Sequence, residues 1–327
     1  KKLIITSVTD KIGGPVSIGY YKVKVNNVMK HFLLFGDIHT QYVEHTSPEI
    51  IEITTLVKKI IRKSPHCIDI FSENPPRHDL PKGKKIQKYS SPLNAMRIEF
   101  NGCPVHHMSG VKCDYDNLRY QNWDLRFKVV PGSYKWLSNP YDELLMKYFG
   151  EYGDIVLNFG KTNIILYILG FTEKIKGNIE QQMDKYFDER IEKRLKRKTF
   201  VDLVSDKEFF QSTRKLIRKE YNKCIKTVKF PKDLLETFIK TYLTIHDETN
   251  NTDFTLVFTD FYTICRMFMK YDNNKRTPKK CKEKGKQNTS KHIIYYAGDL
   301  HTRNISKFLE NMFGVKPIYT TRGLYPH

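Results

Sequence analysis

Two histidines stand in the same short setting at opposite ends of the chain. Phe35-Gly36-Asp37-Ile38-His39-Thr40 and Ala297-Gly298-Asp299-Leu300-His301-Thr302 share the plan G-D-[IL]-H-T, with the histidines 262 positions apart. Each plan follows an apolar run, His31-Phe32-Leu33-Leu34-Phe35 in the first case and His292-Ile293-Ile294-Tyr295-Tyr296 in the second. Glycine suits a chain that must turn sharply off a strand end. Asp and His then arrive at the carboxyl edge of a sheet, where ligands and catalytic groups gather in open α/β folds. A third apolar run, Cys67-Ile68-Asp69-Ile70-Phe71, ends at Ser72-Glu73, with Arg77 four residues further on. A carboxylate there can ligate a metal or act as general base, and the Arg would orient it or lower its pKa. The candidate set is therefore His39, Glu73, His301 and Arg77, with Asp37 and Asp299 as extra ligands or partners of the histidines. The plainer alternative is two turns with capping aspartates and surface histidines, beside a Glu73–Arg77 ion pair.

The elements that must position this set can be read from periodicity. Residues 19–38 predict a hairpin: Tyr21, Val23 and Val25 alternate with lysines, Asn26-Asn27 supplies the turn, and the second strand is nearly all apolar. Helical spacing predicts a helix over 48–63, and strand–helix–strand predicts a crossover between parallel strands. Residues 74–92 read as loop, and 93–139 as short strands or loops around Met96 and Leu125–Val129. From 141 to 272 the pattern is mostly helical. The run 275–291 is basic and of low complexity, and predicts a mobile loop. A last strand–turn–helix unit follows, its helix running from about residue 303 to 313. The fold class expected is α/β: a central parallel or mixed sheet with flanking helices, an N-terminal β-hairpin and an inserted helical subdomain. Residues 1–139 form the first half of the core, 140–274 the helical subdomain, 275–291 the loop, and 292–327 the unit that completes the core.

Of the 327 residues, 39% are hydrophobic and 13% aromatic, enough to build a core and to argue against global disorder. The net charge is +20, and lysine supplies most of the cations. Lysine is a hydrated point charge, so this excess favours loose attraction to nucleic acid or another polyanion over base-specific reading. No run is long and apolar enough for a membrane span, and no secretory signal is visible. Six cysteines are sparse for a disulfide scaffold. They read as free thiols in a reducing compartment, cytoplasmic or virion-associated.

The stretches YYKVKVNNVMKHFLLFGDIHT, HCIDIFSENPPR and IIYYAGDLHTRNISKFL resemble the TraB, GumN and Tiki proteins. That family shows a short hairpin, an apolar strand ending in G-x-x-H, a strand ending in Glu with an Arg soon after, and a second G-x-x-H on a late strand. The resemblance covers about a third of the chain and implies a fold shared with the erythromycin-esterase and ChaN groups. For Tiki-like members it implies a divalent-metal-dependent peptidase. On that basis His39, Glu73 and His301 match catalytic or metal-binding positions, Arg77 the family's Arg, and the ion would be Mn, Co or Zn. Asp37 and Asp299 depart from the family, which favours small or hydroxyl residues there. The lysine- and asparagine-rich style fits an AT-rich genome such as that of a large DNA virus.

Other constellations are weaker. Cys103, His106, His107 and Cys113 have some zinc-ligand character, but their spacing fits no standard finger, and a loop with two buried thiols is preferred. Asp124 and Arg126 are a further addition to the pocket. Asp260, Tyr262 and Arg266 lie on an otherwise apolar helix, where bonding to a neighbouring helix is the commoner role. Phosphate-loop, dinucleotide and nucleophile-elbow patterns are absent. Two functions remain: a metal-dependent hydrolase of a peptide or ester bond, or a non-enzymatic basic structural or nucleic-acid-associated virion protein on the same fold.

Overall fold

The computed structural model describes residues 11–38, 50–73, 91–100, 103, 113–123, 127–130, 133–136, 165–166, 169–171, 207–248, 255–273, 277–282 and 287–322. The chain divides into two compact units, one of residues 1–124 with 267–327 and one of residues 125–266. His39, Arg77, His106, His107, Asp124 and Arg126 lie outside the described residues.

The first unit begins with β1 (Lys11–Gly13), β2 (Ser17–Val25), β3 (Val28–Asp37) and β4 (Ile50–Glu52). It continues with α1 (Ile53–Lys63), β5 (Ile68–Ser72), α2 (Pro92–Glu99) and β6 (Leu118–Asn122). The predicted hairpin is present: β2 pairs antiparallel with β3. Asn26 and Asn27 both take left-handed backbone, at φ 48° and 64°. Two successive positive-φ residues match the right-handed twist of the flanking strands, and Asn tolerates that conformation. The expected helix over 48–63 starts later than its periodicity implied. Ile50 and Ile51 instead form β4, parallel to β1. Met96-Arg97-Ile98 lies in α2 rather than in a strand or loop. Proline opens that helix, where its missing N–H has no intrahelical role.

The second unit contains β7 (Phe127–Val130), β8 (Ser133–Trp136), α3 (Lys207–Thr227), α4 (Leu234–Glu248) and nearly all of α5 (Thr255–Phe268). Its described core is aromatic: Phe261 meets Phe171, Tyr221 and Phe238. Arg266 reaches Glu220 on α3 at 3.4 Å and lies over the Tyr262 ring, so it bonds a neighbouring helix as expected.

The chain then adds β9 (Lys270–Asp272), a 3-10 turn (Lys279–Cys281), β10 (Gln287–Thr289), β11 (His292–Gly298), α6 (Asp299–Phe313) and β12 (Tyr319–Arg322). The main sheet is six-stranded and mixed, in the order β12-β2-β3-β11-β5-β6. Strands β3, β11, β5 and β6 run parallel; β2 is antiparallel to β3, and the edge strand β12 is antiparallel to β2. The last long strand thus inserts between the two that a sequence-local crossover would pair. Strand alternation sends successive side chains to opposite faces. One face packs Leu33, Phe35, Ile68, Ile70, Ile294 and Tyr296 under α1 and α2. The other carries Phe32, which touches Phe268, and Phe268 in turn touches Phe308 of α6. Helix α6 ends at Gly314, whose φ of 65° and N–H bond to Glu310 O form a left-handed cap.

Two expectations are corrected here. The basic run 275–291 is anchored wherever it is described: Cys281 is buried and disulfide-bonded to Cys67, and β10 pairs with β9. Its lysine count says nothing about a long-range cysteine partner. The free-thiol reading also fails at four of six positions, because Cys67–Cys281 and Cys103–Cys113 are disulfides. The second bridge removes both thiolates that a zinc site there would need, and the argument for a reducing compartment loses its support. Cys224 and Cys265 are free and buried. Among the described residues no helix is long and apolar enough to cross a membrane.

Candidate active site at the carboxyl edge of the sheet

The two G-D plans meet in space but one residue out of step. Asp37 is the last residue of β3 and pairs in register with Gly298, the last of β11. The first plan therefore keeps its Asp on the strand, whereas the second releases Asp299 into the first turn of α6. His301 accordingly lies on a helix that starts four residues earlier than its periodicity predicted. Gly36 makes the close approach possible: a Cβ there would stand 2.2 Å from Ser17 Oγ and 3.0 Å from Asp299 Cα.

Glu73 and His301 come together. Glu73 follows β5, and its Oε2 accepts the Gly298 N–H at 2.7 Å. Its Oε1 lies 3.2 Å from His301 Nε2, with both side chains almost fully buried, at 4% and 3% exposure. One carboxylate thus spans the end of β11 and the first turn of α6. Trp123 completes this group. It is the first residue after β6, as Glu73 is after β5, because Ser72 and Asn122 pair in register. Its ring packs edge-on with His301 at 5.2 Å between centroids and stacks on Tyr295 at 5.5 Å.

The two aspartates are engaged elsewhere. Asp37 is buried; its Oδ1 accepts the Ile38 N–H at 2.8 Å and its Oδ2 the Tyr296 hydroxyl at 3.1 Å. Burial, followed by the Asp37 charge and this hydrogen bond, holds the Tyr296 phenol well above its ordinary pKa. Asp299 accepts from Ser17 Oγ at 2.5 Å and from Arg303 Nε at 2.7 Å, as befits a carboxylate in the first turn of a helix. The Tyr296–Asp37 bond joins β11 to β3, and the Ser17–Asp299 bond joins β2 to α6.

Of the expected set, then, Glu73 and His301 converge, Asp37 and Asp299 bond Tyr296 and Ser17, and His39 and Arg77 lie outside the described residues. Trp123, Tyr295 and Tyr296 were missed by motif reading. The available signal was the run Leu118-Arg119-Tyr120-Gln121-Asn122, whose apolar residues alternate as in a strand and place Trp123 at a strand end.

Two ligands about 2.1 Å from one ion stand about 3.0–3.4 Å apart at angles of about 90–110°. The 3.2 Å between Glu73 Oε1 and His301 Nε2 is compatible with that geometry. Among the described residues no group of three or more His, Cys, Asp or Glu side chains could hold a metal. A third protein ligand would have to come from outside the described residues, where His39 lies. Compared with family models, curated proteins and solved structures, the chain matches none.

Proposed function

We propose that this chain is a hydrolase of the TraB and Tiki kind, acting on a peptide or ester bond at the carboxyl edge of its sheet. The observation that supports it is the buried Glu73–His301 pair at 3.2 Å, its carboxylate fixed by the Gly298 N–H. A carboxylate touching an imidazole in a low-dielectric setting is suited to moving protons between a water and a leaving group. Glu73 takes a proton from the attacking water, whose oxygen bonds the acyl carbon while the carbonyl pair moves to oxygen. The proton passes from Glu73 Oε1 to His301 Nε2; collapse re-forms the carbonyl and breaks the bond to nitrogen or oxygen, and His301 gives that proton to the departing amine or alcohol. A divalent ion such as Mn, Co or Zn, held by Glu73, His301 and His39, would lower the pKa of a bound water toward neutrality. Arg77 would orient Glu73.

The test is Glu73→Gln, which keeps the shape and one acceptor oxygen for Gly298 but removes the charge that a base needs. With a panel of acyl esters and peptides, turnover is expected to fall by about 10²–10⁴ while the fold persists. A parent protein that hydrolyses none of them, with Mn, Co or Zn added or chelated, ends this reading.

A second reading, a non-enzymatic structural or nucleic-acid-associated protein, draws on the +20 charge and on exposed Lys215, Lys219 and Lys226 along one side of α3. Binding through phosphates would weaken linearly with log salt, whereas hydrolysis of a neutral substrate would barely respond.

A further inference from the structure

Trp123 is 1% exposed, and its indole Nε1–H has no hydrogen-bond acceptor among the described residues. A buried donor left in this way carries a desolvation penalty, and native structures retain few such groups without a functional or structural reason. Phenylalanine would offer ring contacts to Tyr295 and His301 without that penalty, so space-filling alone does not account for an indole. The ring is in contact with His301, which lies 3.2 Å from the carboxylate of Glu73. A neutral donor that cannot titrate, beside a buried carboxylate, disfavours an anion and suits an uncharged acyl oxygen. That oxygen becomes more negative as water adds to the carbonyl, so the hydrogen bond strengthens when charge develops.

We infer that the Trp123 Nε1–H receives the carbonyl oxygen of a neutral acyl substrate at the Glu73–His301 pair. This inference rests on the hydrolase reading for its chemistry, but the binding it requires can be measured without turnover.

The chain has two tryptophans, Trp123 and Trp136, so its ¹⁵N-labelled form gives two indole N–H signals, and Trp136→Phe assigns them. Titration with N-methylacetamide and acetohydroxamic acid, both neutral acyl compounds, is expected to move the Trp123 signal saturably and leave that of Trp136 in place. Trp123→Phe should weaken probe binding about tenfold. On any ester that the parent cleaves, it should raise KM about tenfold, as for the probes, and lower kcat about a further tenfold, because the bond strengthens as charge develops on the oxygen. A Trp123 signal unmoved by both probes overturns the inference, as does a folded Trp123→Phe with parental kcat and KM. If the signal moves saturably in a parent that hydrolyses nothing, the acyl-oxygen site stands and the hydrolase reading fails. Should Trp123→Phe not fold, the titration of the parent still decides.

Discussion

Tyr296 and Asp37 are joined across the β3–β11 pair, the phenol donating to the carboxylate at 3.1 Å inside the core. Tyr295, one residue earlier, faces the opposite side of the sheet and stacks on Trp123. Two adjacent tyrosines thus serve different layers. The first braces the strand end; the second supports the ring beside His301. Tyr296→Phe removes a donor to a buried carboxylate and should destabilise the protein by about 1–3 kcal/mol in chemical unfolding. Because the folded-state pKa of Tyr296 lies above its unfolded value, the stability it contributes is complete below pH ~10 and lost as pH rises further. Absorbance titration of the phenolates should show late-ionising tyrosines in the parent and one fewer in Tyr296→Phe.

Gly36 has the least room of the glycines at this edge. An added methyl would meet Ser17 Oγ, Asp299 Oδ1 and the Asp299 backbone together. Gly36→Ala should cost about 1–3 kcal/mol by overpacking. It should also break the Ser17–Asp299 bond and loosen the first turn of α6, which hydrogen exchange at 299–303 would register. Unchanged protection there would show that the helix start does not depend on this contact.

Three imidazoles line up at the opposite, amino edge. His292 stacks on His31 at 5.1 Å and on His66 at 4.9 Å, and the Tyr20 hydroxyl bonds His31 Nδ1 at 2.8 Å. Burial and then the two neighbouring imidazoles lower the His292 pKa to about 4, with Asp69 opposing and Lys291 adding to the effect. His31 is lowered by burial, then by Lys22 and His66. The unfolded chain therefore binds the proton more readily, and stability falls as pH drops from about 6.5 toward 4. Since His292 is half-buried, solvent screening reduces the loss to about 1–2 kcal/mol. Melting temperatures at pH 7 and 4.5 should show it in the parent, and show less of it in His292→Phe. Equal slopes in both would remove His292 as the cause.

The cysteine pairing is directly countable. Unfolded, non-reduced protein should take up iodoacetamide at Cys224 and Cys265 alone, and at six positions after reduction. The Cys67–Cys281 bridge closes a separation of 214 residues that contains the whole second unit. Its removal by Cys67→Ser with Cys281→Ser should cost about 2–5 kcal/mol. Six modified cysteines without reductant would restore the free-thiol reading.

Local patterns determined a good deal. The alternation over Tyr21–Val25, the Asn26-Asn27 turn and the apolar run into Gly36 specify a hairpin because each acts on its near neighbours. Strand-end positions for Asp37 and Glu73 follow from where the apolar runs stop, and so does the α/β class. The tertiary structure decided what those residues touch. Only insertion of β11 between β3 and β5 brings Glu73 to Gly298 and His301. Only the one-residue offset between the two G-D plans sends Asp37 to Tyr296 and Asp299 to Ser17, although their local sequences are nearly the same. Trp123 joins the group because β6 pairs in register with β5, and Cys67 finds Cys281 across more than two hundred residues. Such contacts depend on strand order and register, and those are set by the packing of the whole sheet rather than by any window of the chain.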